Sequence, residues 1–87
     1  ARLSAPQRVV RQLLSLAEHH GVSDDEGTRI AIRLTQDDLA SLSGTTRETA
    51  NRVLASLRDQ GLIRVERTQV RILDTSKLSR LLEHFEG

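Results

Sequence analysis

Two short helical patterns stand on either side of one glycine, and this arrangement constrains the fold of the 87-residue chain more than any other feature. Thr35 is suited to cap the first helix, and Thr45 or Thr46 is suited to cap the second. Gly44 lies between them and permits a tight turn. The pattern predicts a helix-turn-helix unit over about residues 35–60.

The second helix of this unit carries polar groups that can read DNA bases. Arg47 and Asn51 lie one helical turn apart, as do Glu48 and Arg52. Apolar residues mark the opposite face, namely Ala50, Val53, Leu54 and Leu57. Arginine can donate two hydrogen bonds to guanine, and glutamate can accept one from cytosine. The helix is therefore predicted to bind double-stranded DNA and to discriminate between sequences.

The segment before the helix-turn-helix is predicted to contain one helix and one strand. Ser4 and Gln7 have the spacing of a capping box, so a helix is expected over about residues 4–20. The acidic segment from Gly21 to Thr28 is expected to be a loop. Apolar and polar residues then alternate from Arg29 to Leu34, and this period of two favours a strand.

The segment after the helix-turn-helix is predicted to form a hairpin and a last helix. Two extended stretches flank a turn at Glu66–Gln69, so a wing hairpin is expected over about residues 62–73. Asp74 or Thr75 can cap a helix over about residues 75–85. The expected fold is one winged helix-turn-helix domain over residues 1–87, mainly α with a small antiparallel β-sheet.

Composition limits the possible functions. With one Phe and no Trp or Tyr, the chain lacks an aromatic platform for stacking single-stranded bases. The formal charge is only +1, so DNA binding has to come from uneven placement of the 13 basic residues. No cysteine is present, and neither a zinc-ligand spacing nor a nucleophile paired with a base can be assembled. We therefore predict a cytoplasmic protein that is not an enzyme and holds no metal.

An ordered set of residues runs from the first helix of the unit to the start of the wing: Leu34 to Ala40, Gly44, Thr46 to Thr49, Arg52 to Leu54, Leu57, and Gly61 to Ile63. In this order they resemble the carboxy-terminal winged-helix domain of the bacterial Crp/Fnr transcription regulators. The resemblance covers Leu34 to Ile72 and extends more weakly back to Val9. It implies a domain that regulates transcription by occupying promoter DNA.

The resemblance also implies roles for individual residues. Arg47, Glu48 and Arg52 would read base edges of a TGTGA-like half-site. Asn51 stands where the family commonly has a small residue, and its amide can add an adenine contact. The positions expected to contact phosphates are Thr35, Gln36, Thr46, Thr49, Arg67 and Thr68.

In the family, a sensor domain and a dimerisation helix precede this module. The chain is therefore expected to be a fragment of a homodimeric protein and to be monomeric by itself. A cyclic-nucleotide-type or other effector would bind the preceding domain, and no cofactor is expected here. The family's loop at the position of Val22 to Gly27 can contact RNA polymerase, whereas the alternative for this acidic segment is a solvated turn.

Other interpretations remain open from the sequence. Glu48 and Arg52 can simply form an ion pair on a solvated helix face. The same face can bind an acidic protein instead of DNA, or the domain can belong to another winged-helix family of the IclR or GntR type. The wing arginines at positions 64, 67 and 71 are either phosphate contacts or solvated side chains.

Overall fold

The computed structural model describes residues 2–83. Its elements, in chain order, are α1 (Ala5–His20), β1 (Gly21–Asp24), β2 (Gly27–Ile30), α2 (Gln36–Ser43), α3 (Arg47–Asp59), β3 (Ile63–Glu66), β4 (Gln69–Ile72) and α4 (Thr75–Glu83). The strands form one antiparallel sheet in the order β1-β2-β4-β3. The predicted winged helix-turn-helix fold is confirmed. His84 and Phe85, the end of the predicted last helix, lie outside the described residues.

Side-chain caps set the starts of the helices. Ser4 and Gln7 form the predicted capping box of α1. Thr35 caps α2, and Asp38 accepts a hydrogen bond from the Thr35 amide, which completes a second capping box. Thr46 caps α3 by accepting a hydrogen bond from the amide of the residue three positions later. Because each cap satisfies amides that the helix itself leaves free, these residues fix where the helices begin.

The apolar core joins α1, the α2–α3 pair, α4 and one face of the sheet. Its largest fully buried side chains are Val9, Leu13, Ile30, Leu39, Ile72 and Leu78. On α3 the predicted apolar face packs into the same cluster, so the opposite face points to solvent. The core therefore holds α3 with its polar side exposed.

The segment from Gly21 to Thr28 is a β-hairpin, and its prediction as a loop is wrong. β1 and β2 pair over their full length, leaving Asp25 and Glu26 as the turn. Gly27 allows the close approach of β4, since a Cβ at this position would lie 2.2 Å from the backbone oxygen of Ile72. All four residues of β1 are exposed, so the strand has no apolar alternation by which the sequence could show it.

The strand predicted from Arg29 to Leu34 ends already at Ile30. The chain then leaves the sheet, and the amide of Leu34 donates a hydrogen bond of 2.7 Å to the carbonyl of Thr68 in the β3–β4 turn. Ile30 and Leu34 are both buried, so the alternation reflects packing of an irregular segment. This hydrogen bond fastens the tip of the wing beside the start of α2.

The predicted two-stranded wing is part of a larger sheet. β3 and β4 pair from Ile63–Ile72 to Glu66–Gln69, and β4 also pairs with β2. The turn of the wing consists of Arg67 and Thr68, and Arg67 has a φ of 61°. Since β4 has a neighbour on each side, the wing is anchored to the body of the domain.

Candidate nucleic-acid interface

An open groove of about 720 Å³, here called the α3 groove, lies between the start of α2, the exposed face of α3 and the tip of the wing. Its lining includes eight of the ten residues predicted to contact DNA: Thr35, Gln36, Arg47, Glu48, Asn51, Arg52, Arg67 and Thr68. The fold thus brings together residues from three elements that are separated in the sequence.

The four predicted base-reading residues differ in exposure. Arg47, Glu48 and Arg52 are exposed, whereas Asn51 is half-buried. The Oδ1 atom of Asn51 is buried and has no hydrogen-bond partner among residues 2–83. A buried acceptor without a partner is unfavourable, so this amide has an unused capacity for a hydrogen-bond donor.

The two remaining predicted residues, Thr46 and Thr49, lie at the amino terminus of α3 outside the α3 groove lining. Thr46 Oγ1 donates to Thr49 Oγ1 at 3.1 Å while it accepts the capping hydrogen bond. The hydroxyl hydrogen of Thr49 is therefore directed away from Thr46. Thr49 also lines a smaller groove between α1, α3 and α4, which places it on the flank of α3.

Sequence reasoning missed Arg58, which lines the α3 groove and is exposed. The signal was available, because Arg58 follows Arg47 by 11 residues and an α-helix returns to nearly the same direction after three turns. The α3 groove is thus lined by four arginines and two carboxylates. The arginines are Arg47, Arg52, Arg58 and Arg67, and the carboxylates belong to Asp37 and Glu48.

Two wing arginines are engaged in ion pairs with acidic residues. Arg71 is only 7% exposed and donates to both carboxylate oxygens of Asp24, at 2.8 and 3.0 Å. Arg64 lies 3.2 Å from Glu26 and 3.3 Å from Glu66. A phosphate contact by Arg71 is therefore contradicted by its burial. Arg67 at the tip is exposed and remains the wing arginine that lines the α3 groove.

The carboxylates of Asp24 and Asp38 are stabilised by their hydrogen bonds. The pKa of Asp24 is lowered by a hydrogen bond from the Glu26 amide and, next, by Arg71. The pKa of Asp38 is lowered by the hydrogen bond from the Thr35 amide. Both groups therefore hold their negative charge more firmly than a free carboxylate. One carboxylate thus already occupies the amino terminus of α2, close to the predicted phosphate contacts.

Arg8 of α1 donates hydrogen bonds to the turn between α2 and α3. Its Nε donates to the carbonyl of Ser43 at 2.9 Å, and its Nη2 donates to that of Gly44 at 3.1 Å. Its Nη1 donates to the carbonyl of Leu3 at 3.0 Å. Because α2 leaves its last carbonyls without partners, this guanidinium acts as a distant cap and fixes the helix-turn-helix unit on α1.

Replacing Arg8 by alanine is expected to destabilise the domain by about 1 to 3 kcal/mol, since charge-assisted hydrogen bonds to backbone carbonyls are lost. Urea unfolding followed by circular dichroism measures the effect. Arg11→Ala is the matched control, because Arg11 is exposed on the same helix and should change stability by no more than about 0.5 kcal/mol. Equal losses of stability in the two variants would contradict the role of the Arg8 hydrogen bonds.

The α2–α3 pair, the anchored wing and the arginine-lined α3 groove define a winged helix-turn-helix domain of the DNA-binding class. Residues 7–81 match the family model of the Crp-like helix-turn-helix domain. The chain therefore belongs to the Crp-like family of DNA-binding transcription regulators, and not to the IclR or GntR type. None of the described helices is both long and apolar enough to cross a membrane.

Named relatives agree with this family. The chain is 41% identical over 75 residues to the CRP-like cAMP-activated global transcriptional regulator of Mycobacterium tuberculosis, covering 86% of this chain and 34% of the relative. It is 33% identical to the transcriptional regulator SdrP of Thermus thermophilus, covering 87% of this chain and 37% of the relative. The chain thus spans about a third of the length of these relatives, which are transcription regulators and not enzymes.

A solved structure shows the same arrangement. TTHB099, a CRP-family transcriptional regulator from Thermus thermophilus, superposes with a TM-score of 0.82 at 28% identity. The match covers 99% of this chain and 44% of that chain. The helices and the sheet described above are therefore the fold of a Crp-family module.

Proposed function

We propose that α3 lies in the major groove of double-stranded DNA and that its amino-terminal residues read a TGTGA-like half-site. The observation that carries the proposal is the α3 groove, where Arg47, Glu48 and Arg52 are exposed on one helix face. Their side chains match the donor and acceptor groups of guanine and cytosine edges in the major groove. An exposed helix on a rigid core is the geometry by which helix-turn-helix proteins present such residues.

Phosphate contacts would fix the orientation of this helix. Arg67 and Thr68 are at the wing tip, which the Leu34–Thr68 hydrogen bond holds beside the start of α2. Thr35 and Gln36 line the groove from the α2 side. We propose that these residues, together with the amino-terminal threonines of α3, bind the backbone on either side of the bases that are read.

Asn51 gives the site a feature beyond the family half-site. Its unpartnered Oδ1 can accept a hydrogen bond from the N6 amine of adenine while its NH₂ group donates to N7. Because the oxygen is buried in the free domain, the amide has to rotate toward the base. We propose that Asn51 adds an adenine preference to the operator.

The intact protein is proposed to be a homodimer that acts in the bacterial cytoplasm and binds two half-sites about one helical turn apart. A cyclic-nucleotide-type or other effector, bound outside this domain, stays a prediction. So does an RNA polymerase contact through Val22 to Gly27, although Asp24 in this segment is engaged by Arg71. Asp25 is exposed in the turn and is the better acidic candidate for that contact.

Fluorescence anisotropy with the 87-residue chain tests the proposal. A duplex with inverted TGTGA half-sites is compared with a scrambled duplex of the same length, at two salt concentrations, because phosphate contacts make affinity depend on salt. Preference for the inverted site is the expected result. Equal binding to both duplexes would contradict this half-site, and no binding at low salt would favour a protein-interaction module.

Arg47→Ala is expected to weaken binding to the preferred duplex by about 1 to 3 kcal/mol and to relax the preference at one base pair. The scrambled duplex should lose less, since no base contact is removed there. Arg11→Ala removes an equal charge from an exposed position outside both grooves and serves as the control. Equal losses by Arg47→Ala on the two duplexes would contradict base reading by Arg47.

A further inference from the structure

An acidic residue lies on the surface proposed to face DNA. Asp37, in the first turn of α2, lines the α3 groove beside four arginines. Its Oδ1 lies 3.8 Å from the Nε of Arg47, and the two side chains are 71% and 64% exposed. A carboxylate here repels phosphates, so by its charge alone it weakens DNA binding.

The position of the pair on the guanidinium indicates a separate role for Asp37. Asp37 faces the Nε of Arg47, so the ion pair is formed on the side of the guanidinium that adjoins the side-chain stem. The two terminal nitrogens, Nη1 and Nη2, are the pair that can donate together to O6 and N7 of guanine. A contact through Nε therefore does not compete with an end-on contact to the base.

We propose that Asp37 is a positioning residue for Arg47, holding its guanidinium so that the terminal nitrogens point toward the base edge. The inference rests on the proposed function, since it requires that Arg47 reads a base. A long exposed arginine samples many rotamers, and a charged neighbour from a different helix reduces that freedom before DNA arrives. The pair joins the two helices of the helix-turn-helix, because Asp37 lies on α2 and Arg47 on α3.

The same carboxylate should raise specificity by weakening binding to unrelated DNA. Without a matching base, Arg47 can bind any phosphate within reach, and a paired Asp37 makes that contact less favourable. Asp37 thus lowers affinity for all sequences but lowers it most where Arg47 has no guanine to read. The expected signature is a change in the ratio of the two affinities, which a uniform loss of negative charge does not produce.

Asp37→Asn tests the inference on the inverted and scrambled duplexes. Affinity for the scrambled duplex should rise by about 2- to 5-fold at low salt, as expected for removing one exposed charge interaction. Affinity for the inverted duplex should rise less, so the ratio of specific to scrambled affinity should fall, with relaxed preference at the base pair read by Arg47. Asp37→Glu should restore part of the ratio because it keeps the carboxylate.

Two comparisons separate positioning from charge alone. Glu18→Gln removes the same charge from an exposed position near the end of α1, outside both grooves, and should leave the ratio unchanged. In an Arg47→Ala background, Asp37→Asn should no longer alter the ratio. The inference would be overturned if Asp37→Asn raised the affinity for both duplexes equally. It would also be overturned if Asp37→Asn changed the ratio of affinities as much in the Arg47→Ala background as in the unchanged chain.

The proposed function fails differently. If the unchanged chain shows no preference for the inverted site, the proposal of a TGTGA-like half-site falls, and the inference, which rests on it, falls with it. If the unchanged chain prefers that site and Asp37→Asn keeps the full ratio, only the inference about Asp37 is overturned. Circular dichroism of each variant confirms that the comparison is made between folded proteins.

Discussion

Replacing Gly27 by alanine is expected to destabilise the domain by about 2 to 5 kcal/mol, because backbone strain and overpacking act together at this position. Gly27 has a φ of 120°, which side-chain-bearing residues rarely adopt. An added Cβ would lie 2.2 Å from the Ile72 oxygen and 3.1 Å from the Leu73 Cα. Both neighbours are backbone atoms, so relief requires that β2 separate from β4. Urea unfolding followed by circular dichroism measures the loss.

Gly61 provides the matched control for this result. It also has a positive φ, 73°, but a Cβ there would meet no atom within 4 Å. Gly61→Ala should therefore add only the strain of a left-handed conformation, about 1 kcal/mol. If the two alanine variants were equally stable, the close approach between Gly27 and β4 would not be the constraint that we infer.

Leu13→Ala is expected to destabilise the domain by about 2 to 5 kcal/mol, since it removes buried methyl groups and leaves a cavity. Leu13 is 0% exposed in the middle of α1 and packs in the core that supports α3. A domain of 87 residues has a total stability on the order of 4 to 13 kcal/mol. The variant should therefore have a much lower unfolding midpoint, measured by thermal and urea denaturation.

Leu42 gives a control with the same chemical change. It is 49% exposed, so Leu42→Ala should alter stability by no more than about 0.5 kcal/mol. A large loss at Leu42, or a small one at Leu13, would contradict the assignment of the core. The change from leucine to alanine alters helix propensity equally in the two variants. The difference between their losses of stability therefore measures the effect of burial.

Local signals made the helices predictable. Ser4 with Gln7, and Thr35 with Asp37 and Asp38 in the first turn, marked helix starts because caps act within a few residues. The β1–β2 hairpin was missed because its stability comes from pairing with β4, a segment about 45 residues later in the chain. The exposed strand β1 is joined to the sheet through β2, so it leaves no periodic pattern of its own.

The site was predictable to the extent that it lies on one helix. Arg47, Glu48 and Arg52 follow from helical spacing, and the fold places them on the predicted exposed face. The Asp37–Arg47 pair and the Arg71–Asp24 pair join different elements, so only the packed structure reveals them. The hydrogen bonds of Arg8 are likewise visible only in the packed structure, because its carbonyl partners at Ser43 and Gly44 are 35 and 36 residues away.

The ion pairs at the base of the wing have a consequence for the approach to DNA. Asp24, Glu26 and Glu66 outnumber Arg64 and Arg71, with which they pair, whereas the α3 groove holds four arginines against two carboxylates. Positive charge is therefore concentrated on the α3 groove, although the net charge of the chain is only +1. If α3 reads DNA as proposed, this uneven charge would turn the α3 groove toward the polyanion before contact is made.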